Sequence, residues 1–284
     1  MIRCFLLLVS ILLLLTASAQ FSSPKQILYH PGSDTHYIIT LSGQIWSGTP
    51  ETEFVYNPVV IGANVGQCLI IGDQLWAARI GDLKVYNLFP LELVASYDTP
   101  ATEWLIGLAW DGDLTIYLHD QEGIYDFNMS TQISTTVNED LSNWAEVKEM
   151  VYHPYEDKLV IVEDQTESLI LAYDIPSNTY DTLAQIPAFD MERIDLGCDD
   201  HYLISGGGST TGLAYALPYD LSTMGDTLEQ FPLQPKDTYY DPLSGESFWL
   251  AFDSLRMMES ACLSTGLEEM TTSDHLQVYF RDGL

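Results

Sequence analysis

Short apolar runs rich in aromatic and β-branched residues alternate with Gly, Asp, Asn, Pro and Ser turns along nearly the whole chain. Such runs, each bounded by turn residues, predict closely spaced antiparallel strands rather than helices. Residues 141–150 are the best match to helical spacing, and predict a turn or two of helix. The turns repeat in kind. Ile27-Leu28-Tyr29-His30-Pro31, then Ser33-Asp34 and Tyr37-Ile38-Ile39, matches Met150-Val151-Tyr152-His153-Pro154, then Glu156-Asp157 and Leu159-Val160-Ile161. The same strand–turn outline recurs at Ile70-Ile71-Gly72-Asp73, Trp110-Asp111-Gly112-Asp113, Leu196-Gly197-Cys198-Asp199-Asp200 and Tyr240-Asp241-Pro242.

With Tyr29, Ile70, Trp110, Tyr152, Leu196 and Tyr240 as equivalent markers, the separations are 41, 40, 42, 44 and 44 residues. A period near 40 built from four short strands is the signature of a β-propeller blade. The predicted fold is therefore all-β, a six-bladed β-propeller of four-stranded antiparallel blades. Its innermost strands fall near residues 27–30, 68–71, 107–110, 149–152, 194–197 and 238–241. In the fourth unit the later strands are predicted at 159–162, 169–174 and 179–184. A β-sandwich would need six evenly spaced starts by coincidence. The last unit reads poorly: after 248–252 and 255–258 no fourth strand is evident, and the segment from Gln20 to Pro24 is barely long enough to supply one.

The two ends suggest an address. Residues 1–19 combine Arg3, an apolar run from Phe5 to Leu15 and Ala17-Ser18-Ala19, the pattern of a cleaved secretory signal. That run is too short to cross a hydrocarbon core, which takes about 20 residues. The division is thus 1–19 signal, 20–263 propeller and 264–284 tail. Forty-one acids against ten bases give a net charge of −31. Binding to nucleic acid or to anionic membrane requires clustered Lys and Arg, so this balance argues against both. A hydrophobic content of 46% excludes a disordered chain. Once Cys4 leaves with the signal, Cys68, Cys198 and Cys262 remain. They are too few and too scattered for a disulfide framework, and read first as small buried residues.

Two resemblances add to this reading. The H-P-x-x-D turns, Ile70-Ile71-Gly72-Asp73-Gln74-Leu75-Trp76-Ala77-Ala78, Val85-Tyr86-Asn87-Leu88 and Ile170-Leu171-Ala172-Tyr173-Asp174 resemble the gluconolactonase/senescence-marker six-bladed propellers, in particular their secreted bacterial relatives. In the tail, Ser264-Thr265-Gly266-Leu267-Glu268-Glu269 and Leu276-Gln277-Val278-Tyr279 resemble the start of a type IX secretion C-terminal sorting domain. That domain normally continues from Val-Tyr into Pro-Asn-Pro and a β-sandwich, whereas Phe280-Arg281-Asp282-Gly283-Leu284 follows here. Residues 276–280 are expected to form one amphipathic strand with nothing to pair with. The resemblances imply an exported protein, extracellular or at the cell surface, or periplasmic where the truncated tail does not function.

The first resemblance also implies a metal site. Enzymatic members hold a divalent cation, calcium or similar, at one mouth of the channel with Glu, Asn and Asp beside the innermost strands. Such a cation polarises a lactone carbonyl and activates water. The matching positions here are Lys25, Ile106-Gly107, Lys148-Glu149 and Glu192-Arg193. An ammonium repels a divalent cation, so Lys25 and Lys148 argue against the usual site. Glu103, Glu149, Asp190, Glu192 and Asp195 are the carboxylates near enough to rebuild one. Trp104 and Trp144 precede innermost strands and are candidates for stacking on a ligand at the mouth.

Other catalytic signals are weak. Gly206-Gly207-Gly208-Ser209-Thr210-Thr211-Gly212 lacks the lysine of a phosphate loop and reads as a hairpin. No G-x-S-x-G elbow occurs. His30 and His153 occupy equivalent turns, where shared turn chemistry explains them. The resulting reading is a secreted, non-catalytic, monomeric binding or interaction module that takes a protein or glycan on its channel face. A metal-dependent lactone hydrolase with displaced ligands is the alternative, and an exported scaffold the third class.

Overall fold

The computed structural model describes residues 23–49, 52, 54–101, 103–138, 146–164, 167–187, 191–197, 200–208, 211–220, 226–231, 235–241, 246–250, 255–259 and 277–278. The proposed signal segment, Trp144, Asp190, Cys198 and Cys262 lie outside these residues. Among the described residues there is no helix, and the strands form four-stranded antiparallel sheets in a propeller arrangement.

Among the described residues six such sheets follow one another along the chain. The first holds β1 (Pro24–His30), β2 (Thr35–Thr40), β3 (Gln44–Gly48) and β4 (Val55–Val60). The second holds β5 (Cys68–Ile71), β6 (Gln74–Ala78), β7 (Asp82–Leu88) and β8 (Leu91–Asp98). The third holds β9 (Gly107–Trp110), β10 (Thr115–His119), β11 (Ile124–Asn128) and β12 (Ile133–Asn138). The fourth holds β13 (Glu146–Tyr152), β14 (Lys158–Asp164), β15 (Glu167–Asp174) and β16 (Thr179–Pro187). The fifth holds β17 (Met191–Leu196), β18 (His201–Gly208), β19 (Thr211–Pro218) and β20 (Asp226–Phe231). The sixth holds β21 (Asp237–Asp241), β22 (Glu246–Leu250), β23 (Leu255–Glu259) and β24 (Gln277–Val278). The first strand of each sheet lies beside the first strand of the next, and β21 adjoins β1. These strands overlap the predicted starts, with β1, β13 and β17 each beginning three residues earlier than predicted.

The burial pattern follows from this stacking. Second strands are covered by neighbouring sheets on both faces, and β2 is buried at every position after its first residue. Outer strands such as β8 are mostly exposed. Each apolar cluster fills a gap between successive sheets: Leu28, Ile39 and Ile45 pack with Leu75 and Tyr86, and Trp76 and Val85 with Leu108 and Phe127. At the junction of first and sixth sheets, Ile27 and Ile38 meet Phe248 and Leu250. Local turn chemistry sets the hairpins. Gly72 bends the two-residue β5–β6 turn at φ 57°, in the left-handed region that side-chain-bearing residues avoid.

Two expectations are corrected. Residues 146–150 are strand, not helix: Glu149, Met150 and Val151 pair with Val162, Ile161 and Val160 of β14. An apolar run of this length fits either period, and the partner strand decides. The tail strand also has a partner, because Leu255 and Arg256 of β23 pair with Val278 and Gln277. The glycine run is strand on both sides of a hairpin, with Gly208 opposite Thr211.

Candidate functional site

The innermost strand of each sheet is an edge strand whose inward N–H groups have no sheet partner, and buried N–H groups require one. The repeat supplies it. Three residues before the six markers stand Gln26, Gln67, Gly107, Glu149, Arg193 and Asp237. In four of the six steps this side chain crosses to the next sheet and accepts a backbone N–H there. Cys68 N donates to Gln26 Oε1 at 2.7 Å, and Leu108 N to Gln67 Oε1 at 2.8 Å. Ile194 N donates to Glu149 Oε2 at 2.9 Å, and Ile27 N to Asp237 Oδ2 at 2.7 Å. These four acceptors are all buried.

The two exceptions have chemical reasons. Gly107 has no side chain, and the His119 ring occupies the space: a Cβ on Gly107 would stand 2.5 Å from His119 Cδ2. The step to the fourth sheet is bridged instead by Gln67, whose Nε2 donates to Met150 O at 3.3 Å. Arg193 carries only donors and cannot accept an N–H. Asp195 replaces it, accepting from Leu196 N at 2.8 Å and from the backbone N–H of Tyr240.

One residue earlier stand Lys25, Gly66, Ile106, Lys148, Glu192 and Lys236. Lys25, Lys148 and Glu192 are each the extra residue of a β-bulge, which turns a side chain out of the sheet's alternation. The Lys25 ammonium donates to Val65 O and lies 5.6 Å from the Trp104 ring centroid. Lys236 Nζ pairs with Glu192 Oε1 at 3.1 Å. Arg193 Nε is 3.9 Å from Glu149 Oε1, while Nη1 donates to Glu192 O at 3.0 Å and Lys148 O at 3.4 Å.

Desolvation governs the titration of this region. Burial pushes the Glu149 carboxyl up to about 7 against the pull of Arg193, and pushes Asp195 up to about 7. Burial and neighbouring Glu149 hold Asp237 well above the carboxylate range. Burial, with Arg193 nearby, lowers the Lys25 ammonium to about 8. The Cys68 thiol is fully buried and raised to about 12.

The candidate carboxylates therefore go separate ways. Glu149 joins two sheets, Glu192 is ion-paired to Lys236, and Glu103 is exposed with its backbone N–H 3.4 Å from Asp120 Oδ2. Among the described residues no three His, Cys, Asp or Glu side chains are grouped to hold a metal ion. The ammonium groups at the matching positions do not fit a divalent cation either. Trp104 is 41% exposed, with its backbone bridged to Ile80. His30 and His153 do serve their turns: His30 Nδ1 accepts Ser33 N at 3.1 Å, and His153 Nδ1 accepts Tyr155 N and Glu156 N at 3.1 Å each. Sequence reading missed Gln67 and Asp237; it took Asp195 only for a substitute metal ligand, whereas the structure has it accept backbone N–H groups, and it set His119 aside for want of ligand spacing. The signal for both missed residues was present, since Gln67 and Asp237 stand in the column that holds Glu149.

The sheets and their ring of first strands define a β-propeller protein. Its fold is similar to a chain in the crystal structure of a nidogen/laminin complex, with a TM-score of 0.63 at 14% identity over 80% of this chain and 90% of that one. It is also similar to Kuenenia stuttgartiensis hydrazine synthase, with a TM-score of 0.61 at 12% identity over 86% of this chain and 79% of that one. At such identities the likeness shows the fold alone. No protein-family model matches the chain, and the comparison with curated proteins found no match.

Proposed function

We propose that the chain is an exported, six-bladed, gluconolactonase-like propeller that acts as a non-catalytic binding module. The coarse reading, an interaction module, is supported by the β-propeller fold. One observation carries the non-catalytic part: the polar side chains beside the innermost strands are engaged in joining sheets. Glu149 and Asp237 accept backbone N–H groups, and Lys25 stands where a metal-binding propeller needs an oxygen ligand. A carboxylate held this way is oriented toward the next strand and away from any shared metal. Export is supported by the charged start, short apolar run and Ala-Ser-Ala site of residues 1–19, and by the sorting-domain-like tail.

The test is metal analysis and aldonolactone hydrolysis by the chain lacking residues 1–19, with and without calcium, zinc and manganese. The expected result is no metal-dependent turnover. Turnover that requires metal and disappears in Glu149→Gln would establish the hydrolase instead. N-terminal sequencing of protein from the native host should begin at Gln20, and a start at Met1 would contradict export by this signal.

A further inference from the structure

We propose that Lys25 and Trp104 form a binding site for a small carboxylate carried on a flat or apolar ring, at the channel mouth where the innermost strands begin. This rests on the binding-module reading and names its ligand class.

The first argument is charge placement. Lys25, Lys148, Arg193 and Lys236 are four of the ten basic residues in a chain with 41 acids, and all four lie in two adjacent columns of the repeat. Chance does not gather scarce cations at one end of the innermost strands. The second is the state of Lys25. An ammonium has three donors. Among the described residues its one hydrogen-bond acceptor is the neutral Val65 carbonyl, and no carboxylate lies within ion-pair distance. By contrast, Lys236 and Lys158 each have a carboxylate partner.

The third argument is the surroundings. The groups that bear on Lys25 are Arg193, Cys68, Glu149 and Asp237. Both carboxylates are directed elsewhere, Glu149 to Ile194 N with Arg193 Nε 3.9 Å away and Asp237 to Ile27 N, so neither is aimed at the Lys25 ammonium. Arg193 Nε is itself buried without a hydrogen-bond partner. An anion beside Lys25 supplies the carboxylate partner that the ammonium lacks among the described residues. The indole defines the rest of the ligand: Trp104 and its bridged neighbour Ile80 are 41% and 54% exposed, forming an apolar shelf next to the ammonium. A carboxylate taking the two remaining Lys25 donors carries its ring onto that shelf, where stacking adds to the charge interaction.

Calorimetric titration of the chain lacking residues 1–19 with benzoate in low-salt buffer tests this, with benzyl alcohol as the neutral counterpart. Benzoate should bind at least about tenfold more tightly than benzyl alcohol, the discrimination expected of a charge-assisted hydrogen bond. Lys25→Gln should weaken benzoate by about tenfold or more, and Trp104→Leu should weaken it severalfold with an unchanged thermal midpoint. If Lys25→Gln fails to fold, Trp104→Leu and the benzyl alcohol comparison decide alone. A folded wild-type chain that ignores benzoate, or binds it and benzyl alcohol equally, overturns the site while the binding-module reading stands. Metal-dependent lactone hydrolysis overturns that reading, and the proposal with it.

Discussion

Replacing Gln67 with leucine tests the idea that side chains at one repeat column hold the sheets together. The amide is buried and serves two other sheets at once, accepting Leu108 N at 2.8 Å and donating to Met150 O at 3.3 Å. Leucine has nearly the same size, so the packing is kept while both polar partners are left without a bond. A buried unsatisfied backbone group costs about 1–3 kcal/mol, so the two together cost about 2–6 kcal/mol. The extra apolar surface of leucine returns about 1 kcal/mol, leaving a net loss of about 1–5 kcal/mol. For a domain of this size each kcal/mol lowers the midpoint by about 2–4 °C, so the variant should melt several degrees below wild type. Gln26→Leu, which frees Cys68 N and O, should behave alike, whereas Glu92→Gln on the exposed side of β8 should stay within about 0.5 kcal/mol. Thermal and urea unfolding followed by circular dichroism give the comparison. A Gln67→Leu midpoint equal to that of Glu92→Gln would show that water or backbone adjustment satisfies those groups and that the column does not join the sheets.

Three further outcomes follow from the same geometry. Glu149 and Asp195 keep a proton up to about 7 in the folded state but lose it near the ordinary carboxylate value when unfolded, so the folded state binds more protons in between. Stability contributed by these groups is therefore full below the unfolded value, declines as pH rises toward about 7 and levels off above it; Glu149→Gln should flatten the decline in urea titrations run at about pH 5 and about pH 8, and an unchanged slope would refute the assignment. Gly107→Ala places a Cβ 2.5 Å from His119 Cδ2 and should destabilise by about 1–3 kcal/mol, with His119→Ala in the same chain recovering part of the loss; simple additivity of the two would count against the contact. The Cys68 thiol, fully buried and raised to about 12, should resist alkylation until the chain unfolds, which mass mapping of labelled peptides can follow.

Strand positions were readable from the sequence because alternation and turn chemistry are local. Gly72, the His30 Nδ1 contact and the His153 turn act within a few residues of themselves, although His30 Nε2 also reaches Asp73 of the second sheet, and six recurrences of such turns mark the period of the repeat. Lys25, Lys148, Glu149 and Glu192 were singled out by the resemblance to metal-binding propellers rather than by the period, which by itself gives only their shared columns beside the innermost strands. The choice between strand and helix at residues 146–150 was not local. It depended on β14 offering a ladder, and main-chain pairing outweighed a spacing compatible with both. The partner of Gln277–Val278 was equally invisible, since nothing near it in sequence names β23. What each polar side chain does at the mouth was decided by tertiary structure alone. Asp237 meets Ile27 N across 210 residues, and only ring closure brings them to 2.7 Å. Packing of successive sheets removes water from Glu149 and Asp195 and sets Lys25 beside Trp104. Burial and long-range partners belong to the assembled ring, and they determine whether a carboxylate is a metal ligand or a joint between sheets.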